Sequence, residues 1–226
     1  MKISNNTLMA LKWMSSINGG IHIEPGSLIY SKNEVDTIRS VVEVEEVFPM
    51  DFITSNLQKF LATVGLFEDP DLEFGEKEVQ ITSTDGRNKT TFYQSNAVLV
   101  QQPNQVPSLK DSVHLTFTLK AEDLKKIFKA ASVMSLNTIR ISANNGTIYL
   151  STLNPSVQTT DEFDIIIGTC DPEIDAVYNY PKASLNLITD FDYEVQINKP
   201  GLSKFSAVNS PFKKFDIFVV PELKIN

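Results

Sequence analysis

Residues 119–141 read LKAEDLKKIFKAASVMSLNTIRI, and this stretch decides the fold. From Ala121 to Met134 the apolar residues Leu124, Ile127, Phe128, Ala131 and Met134 recur at helical spacing, which predicts an amphipathic helix with one buried face. Glu122 and Asp123 fall in its first turn, where the helix dipole favours anions. Beyond that turn the polar side is lysine: Lys125, Lys126 and Lys129, with Lys120 and Arg140 on the flanks. After Asn137, Ile139-Arg140-Ile141 alternates as a strand does, Asn145-Gly146 is a turn pair, and Ile148-Tyr149-Leu150 forms the next strand.

The same order of signals occurs once before. A helical pattern from about Asn5 to Ser16 places Leu8, Leu11 and Met14 together, then come Asn18, Ile21-His22-Ile23, a turn at Pro25-Gly26 and Leu28-Ile29. Helix, Asn, strand, Gly turn and strand, twice in the same order, point to an internal repeat. A further helix is predicted from Ser55 to Val64, with Leu57, Phe60, Leu61 and Val64 on one side and Ser55 with Gln58 as a capping box. A short fourth helix is expected from Ala183 to Thr189, where Leu185 and Ile188 face alike.

Most remaining segments alternate at period two, among them Val41 to Val44, Val79 to Ile81, Thr90 to Tyr93, Leu115 to Leu119 and Tyr193 to Ile197. Between the halves, Leu99 to Ser108 is polar and punctuated by Pro103 and Pro107, as a linker is. The expected organisation is an N-terminal domain at 1–100, a linker at 101–112 and a C-terminal domain at 113–226. Many antiparallel strands with few helices make each an α+β unit with its helices on one face.

The charge distribution narrows the function. The 226 residues carry 28 acids against 20 lysines and arginines, a formal charge of −8. That total excludes a generally basic nucleic-acid binder and leaves a local basic face open. Residues 1–20 hold Lys2 and Lys12 and no acid; Lys59 lies opposite the apolar stripe of its helix, and Lys182 leads into the fourth helical segment. The acids gather in strand and loop segments. This pattern implies a helix layer facing something anionic; the competing reading is that lysine is common on any exposed helix.

Catalytic chemistry is poorly supplied. Cys170 is the single cysteine, and His22 and His114 are the only histidines, so a disulfide framework, a Cys-based zinc site and a His-centred triad are excluded or starved of parts. No GxGxxG, Walker A or HExxH motif occurs. Asp69-Pro70-Asp71 and Asp171-Pro172-Glu173 bring acids together but read more simply as turns. The chain is expected to be no enzyme and to need no cofactor or metal. No apolar run is long enough to span a bilayer and no leader pattern opens the chain, so a soluble intracellular protein is expected.

Two stretches carry a family likeness. Residues 8–30, LMALKWMSSINGGIHIEPGSLIY, with Leu11-Lys12, Ile17-Asn18, Gly20-Ile21 and Gly26 before Ile29, and the 119–141 stretch resemble the sliding clamp, or DNA polymerase processivity factor, of T4-type bacteriophages. The likeness runs along the whole chain at distributed positions and is weakest over about 155–200.

The resemblance implies a DNA clamp fold: two similar domains, each with antiparallel sheets and two helices, assembled as a homotrimer into a pseudo-sixfold ring. Helices line the hole and sheets run outside. Duplex DNA threads the ring without sequence specificity, the replicative DNA polymerase is tethered to it, and an ATP-dependent clamp loader opens it. Late transcription factors are further expected partners, and the setting is the cytoplasm of the infected bacterial host.

Residue by residue, the resemblance makes Lys12, Lys59, Lys125, Lys126 and Lys129 the DNA-facing charges, with Lys2, Lys120, Arg140 and Lys182 beside them. It makes Val106, Pro107, Leu109, Phe218, Val220, Pro221 and Leu223 the wall of a pocket for partner peptides. The simpler reading of Phe218 and Val220 is that they pack into the second sheet. The alternative function is a β-rich structural or assembly protein with no DNA role.

Overall fold

The computed structural model describes residues 1–100, 105–109, 113–157 and 161–222. The chain divides into two compact units, the first holding Met1–Val106 with Pro211–Phe215 and the second Pro107–Ser210 with Asp216–Asn226. The division falls between Val106 and Pro107, inside the proline-punctuated segment. The return of Pro211–Phe215 to the first unit has no local signature in the sequence.

The first unit runs α1 (Asn5–Ile17), β1 (Ile21–Ile23), β2 (Gly26–Lys32), β3 (Ile38–Phe48), β4 (Phe52–Thr54), α2 (Leu57–Val64), β5 (Asp71–Phe74), β6 (Glu78–Thr82) and β7 (Lys89–Tyr93). Helix α1 starts at Ser4, whose hydroxyl accepts the Thr7 N–H, and buries Ala10, Leu11, Trp13 and Met14. It packs beside α2 and over β3. The capping box expected at Ser55 does not form. Asn56 caps α2 instead, its Oδ1 accepting the Lys59 N–H at 2.9 Å, while the Ser55 hydroxyl lies 3.0 Å from that of Ser95.

The core of this unit is aromatic. Phe52 meets Phe60 at 4.5 Å between ring centroids, Phe60 meets Phe92 edge-on at 5.1 Å, and Phe74 bridges Phe48 and Phe52. Each buried ring contributes about 1.5–3 kcal/mol through removal from water. These rings lock α2 against β4 and β7, so the side of α2 that carries Lys59 is turned outward.

The second unit runs β8 (Val113–Leu119), α3 (Ala121–Val133), β9 (Thr138–Asn144), β10 (Thr147–Leu153), β11 (Phe163–Thr169), β12 (Ala176–Pro181), β13 (Asp192–Asn198), β14 (Ser203–Val208) and β15 (Lys214–Val219). One sheet has the order β11-β10-β9-β12, and β8, β13, β14 and β15 pair in sequence in another, all antiparallel. Helix α3 buries Leu124, Ile127 and Ala131 and lies on β9, β10 and β11.

The repeat is present with a difference. Both halves run helix, strand, turn and strand, but β9 and β10 pair over seven residues as a hairpin, whereas β1 pairs with β4. Asn145 and Gly146 both take positive φ, 48° and 79°, which suits a tight hairpin turn. Pro25 fixes its φ and lacks an N–H, so the corresponding turn cannot take that form.

The fourth helix does not form, so among the described residues the second unit has one α-helix where two were expected. Ser184 and Leu185 donate to Pro181 O, but the Leu187 N–H turns back to Leu185 O at 2.7 Å, and the Tyr193 hydroxyl takes Ile188 O at 3.0 Å. Leu185 and Leu187 are both buried, a period of two that a helix cannot satisfy. The predicted helical face misread a turn with two buried leucines.

Candidate nucleic-acid interface

The exposed helix faces carry the lysines, and packing explains why. On α1 the buried stripe turns Asn5, Lys12 and Ser16 outward; on α2 it turns Gln58, Lys59 and Ala62 outward. On α3 it turns out Glu122, Lys125, Lys126, Lys129 and Ser132. Among the described residues, Lys12, Lys59 and Lys129 are in no ion pair.

The others are engaged. Lys125 Nζ lies 2.7 Å from Asp190 Oδ1, Lys120 Nζ lies 3.2 Å from Asp192 Oδ2, and Lys126 Nζ lies 3.8 Å from Asp123 Oδ1. Lys182 Nζ donates to Ser132 Oγ at 2.8 Å, which brings it onto the α3 surface. Lys2, just before α1, is paired with Asp69, and that contact raises its pKa above the ordinary lysine value. Exposed pairs like these add little stability. Their consequence is for the field: a paired lysine presents a dipole where a free one presents a charge.

Arg140 departs from the expected set. It alternates on β9 with Ile139 and Ile141, which are buried on the side of the sheet that α3 covers, so its side chain lies on the opposite face. There its Nε donates to Asn179 Oδ1 at 2.9 Å. A strand turns successive side chains to opposite faces, so a residue between two core isoleucines cannot share the helix layer.

The expected pocket residues are divided between burial and exposure. Val106 and Pro107 are half-buried; Leu109 and Phe218 are buried, and Val220 is exposed. Pro221 is buried with its ring over Gly201, and Glu222 N donates to Asn179 O at 2.8 Å, so this part of the tail is folded back on the second unit. Leu223 lies outside the described residues. Phe218 therefore packs as the simpler reading has it, while Val220 does not.

Asp190 and Asp192 are the site residues that sequence reasoning missed. Their partners lie 65 or more positions away, in α3 and at its N-cap, and no local pattern links the two segments. Elsewhere, His22 Nε2 lies 2.7 Å from Asp51 Oδ1 across the β1–β4 pair, and Cys170 is a half-buried free thiol. Among the described residues, no group of three or more His, Cys, Asp or Glu is placed to hold a metal ion, and no helix is long and apolar enough to cross a membrane.

Among the described residues, the outer edges of β7 and β11 are bare. Neither β7 nor β11 has a strand on its outer side. Tyr93 on β7 is 72% exposed and Ile166 on β11 is 67% exposed. The edges of β5 and β12 are covered, Met1 exchanging hydrogen bonds with Leu72 and the Glu222 N–H meeting Asn179 O, whereas β2 and β8, among the described residues, also lack an outer strand. Arg87 precedes β7 and Lys89 opens it, whereas residues 161–175 around β11 contain acids and no lysine or arginine. Uncovered edges with bare apolar side chains invite pairing with another chain.

Comparison with known proteins places this geometry. A family model described as gp45 sliding clamp, C terminal, matches residues 116–213. The sliding clamp of Vibrio phage KVP40 is 32% identical over 210 residues, covering 91% of this chain and 94% of that protein. The sliding clamp of Enterobacteria phage T4 is 26% identical over 177 residues, covering 76% of this chain and 77% of its own.

Among solved structures, A. fulgidus PCNA bound to the C-terminal region of FEN-1 aligns at a TM-score of 0.71 and 10% identity, over 97% of this chain and 96% of that one. The DNA polymerase III subunit beta of Pseudomonas aeruginosa aligns at 0.67 and 12% identity, over 100% of this chain and 65% of that one. These structural likenesses establish the DNA clamp fold. With identity of 32% sustained over 91% of its length, the chain belongs to the sliding clamp family.

Proposed function

We propose that this non-catalytic processivity factor works as a closed homotrimeric ring, in which two-domain subunits surround duplex DNA and tether the replicative DNA polymerase. The observation that carries the reading is the set of exposed lysines, Lys12, Lys59 and Lys129, in no ion pair among the described residues, on the outward faces of helices in both units of an otherwise acidic chain. Such charges attract phosphate diffusely and read no bases, which suits sliding. The net charge of −8 per chain keeps DNA off the remaining surface.

The bare edges of β7 and β11 support self-assembly, since a head-to-tail contact between different surfaces closes into a ring. The family likeness extends the reading to an ATP-dependent loader that opens the ring and to late transcription factors that use it. The phage sources of the relatives support the cytoplasm of an infected bacterium as its setting.

Light scattering combined with a loading assay on circular and linear primed DNA tests the reading. The expected result is a trimer that stays on circles and runs off free ends. A monomer at micromolar concentration that binds circles and linear DNA alike overturns it and leaves a β-rich protein without a clamp role.

A further inference from the structure

The two units dress their helices differently. In the first, Lys2 is held by Asp69 while Lys12 and Lys59 stand without a carboxylate partner among the described residues. In the other, Lys120, Lys125 and Lys126 are held by carboxylates, Lys129 is in no ion pair among the described residues, and Lys182 meets the neutral Ser132 hydroxyl. In the second, the expected helix at 183–189 is replaced by turns, and the chain leaving them brings Asp190 and Asp192 to the flank of α3. Asp190 is an exposed carboxylate at 2.7 Å from Lys125. Asp192 is more enclosed, and its two oxygens are shared between the Ala121 N–H and Lys120. With Glu122 and Asp123 on the first turn, the α3 surface mixes acid and base almost evenly.

We infer that Asp190 and Asp192 act as built-in brakes on phosphate attraction, so that Lys125 and Lys120 grip DNA more weakly than the unpaired lysines of the helix surfaces do. The inference rests on the proposed DNA-facing role of the helices and adds which residues set the strength of the contact. A phosphate approaching Lys125 must compete with a carboxylate already in place and is itself repelled by it. Affinity for duplex DNA follows the number of phosphates effectively neutralised, and each lysine held by an aspartate subtracts from that number.

The test uses the full chain and a mixed-sequence duplex, with affinity read by fluorescence anisotropy across a salt series. Asp190→Asn removes the charge and keeps the shape at an exposed position. It is expected to tighten binding roughly threefold to tenfold at low salt and to steepen the salt dependence. In a Lys125→Ala background the same change is expected to give a clearly smaller gain.

Lys59→Glu, measured alongside, separates the two levels of the argument. If Lys59→Glu weakens binding while Asp190→Asn leaves affinity and salt slope unchanged, the brake is overturned and the DNA-facing helices stand. If Lys59→Glu also changes nothing, the DNA-facing reading falls, and the brake falls with it.

Discussion

Asp192 closes the start of helix α3: its Oδ1 accepts the Ala121 N–H at 2.8 Å, although the two residues are 71 positions apart. Lys120, the residue at the N-cap, offers no side-chain cap of its own. The first-turn N–H groups of a helix lack intrahelical partners, so an outside acceptor is needed. A contact from the start of β13 supplies what serine or aspartate usually supplies locally, and it ties α3 to the sheet that β13 belongs to.

Asp192→Ala is therefore expected to lower stability by about 1 kcal/mol, as loss of a capping residue does. Asp192→Asn, which keeps an acceptor, should cost less. The Ala121 N–H, and then Lys120, hold the Asp192 carboxyl below the usual aspartate range. A depressed carboxyl stabilises the fold above its unfolded value, and that contribution is lost as pH falls through the folded value. Urea titrations should show the gap between wild type and Asp192→Ala closing in acid.

Glu46 secures the beginning of α1. It accepts from the Ser4 N–H and the Thr7 hydroxyl, and Thr7 is fully buried. Burial pushes the Glu46 carboxyl up, but the hydrogen bonds from Thr7 and Ser4 outweigh it and leave the carboxyl below its ordinary value. Glu46→Ala should cost about 1–3 kcal/mol, because buried donors lose their acceptor. Glu46→Ala in a Thr7→Val background should cost less than the two single changes together, as measured by thermal unfolding.

Gly201 holds the tail in place. Its φ is +104°, and a Cβ there would lie 2.5 Å from Cγ of Pro221. Gly201→Ala therefore combines backbone strain with a clash and should lower stability by more than about 1 kcal/mol. Hydrogen exchange should report the displaced tail directly, since the Glu222 N–H would lose protection as its bond to Asn179 O breaks.

The bare edges give a prediction on assembly. Tyr93→Lys on β7 and Ile166→Lys on β11 alter side chains that are exposed in the single chain, so its stability should change by less than about 0.5 kcal/mol. If these edges meet in a trimer, each substitution should shift light scattering toward the monomer at micromolar concentration. An unchanged trimer for both variants would place the subunit contact elsewhere.

Legibility varied with the range of the interaction. The helices at α1, α2 and α3 were readable because a 3.6-residue period is a local property of the chain. The Asn145-Gly146 hairpin was readable because those residues tolerate positive φ. The 183–189 segment was misread because Leu185 and Ile188 have helical spacing, while Leu187 is equally apolar and Tyr193 draws off Ile188 O. Arg140 was misplaced by proximity in sequence to α3. Its position between Ile139 and Ile141 already placed it on the far face of the strand, once the direction of α3 packing was known.

By itself the sequence determined the helical faces, the order of the repeated elements, the acidic total with its lysine-bearing helices, and the family likeness. All of these depend on residue type and near spacing. Only the tertiary structure decided which lysines are free and which are paired, that a distant aspartate caps α3, and that Pro211–Phe215 returns to the first unit. Those outcomes depend on groups far apart in the chain meeting within a few ångströms, and neither composition nor periodicity encodes such meetings.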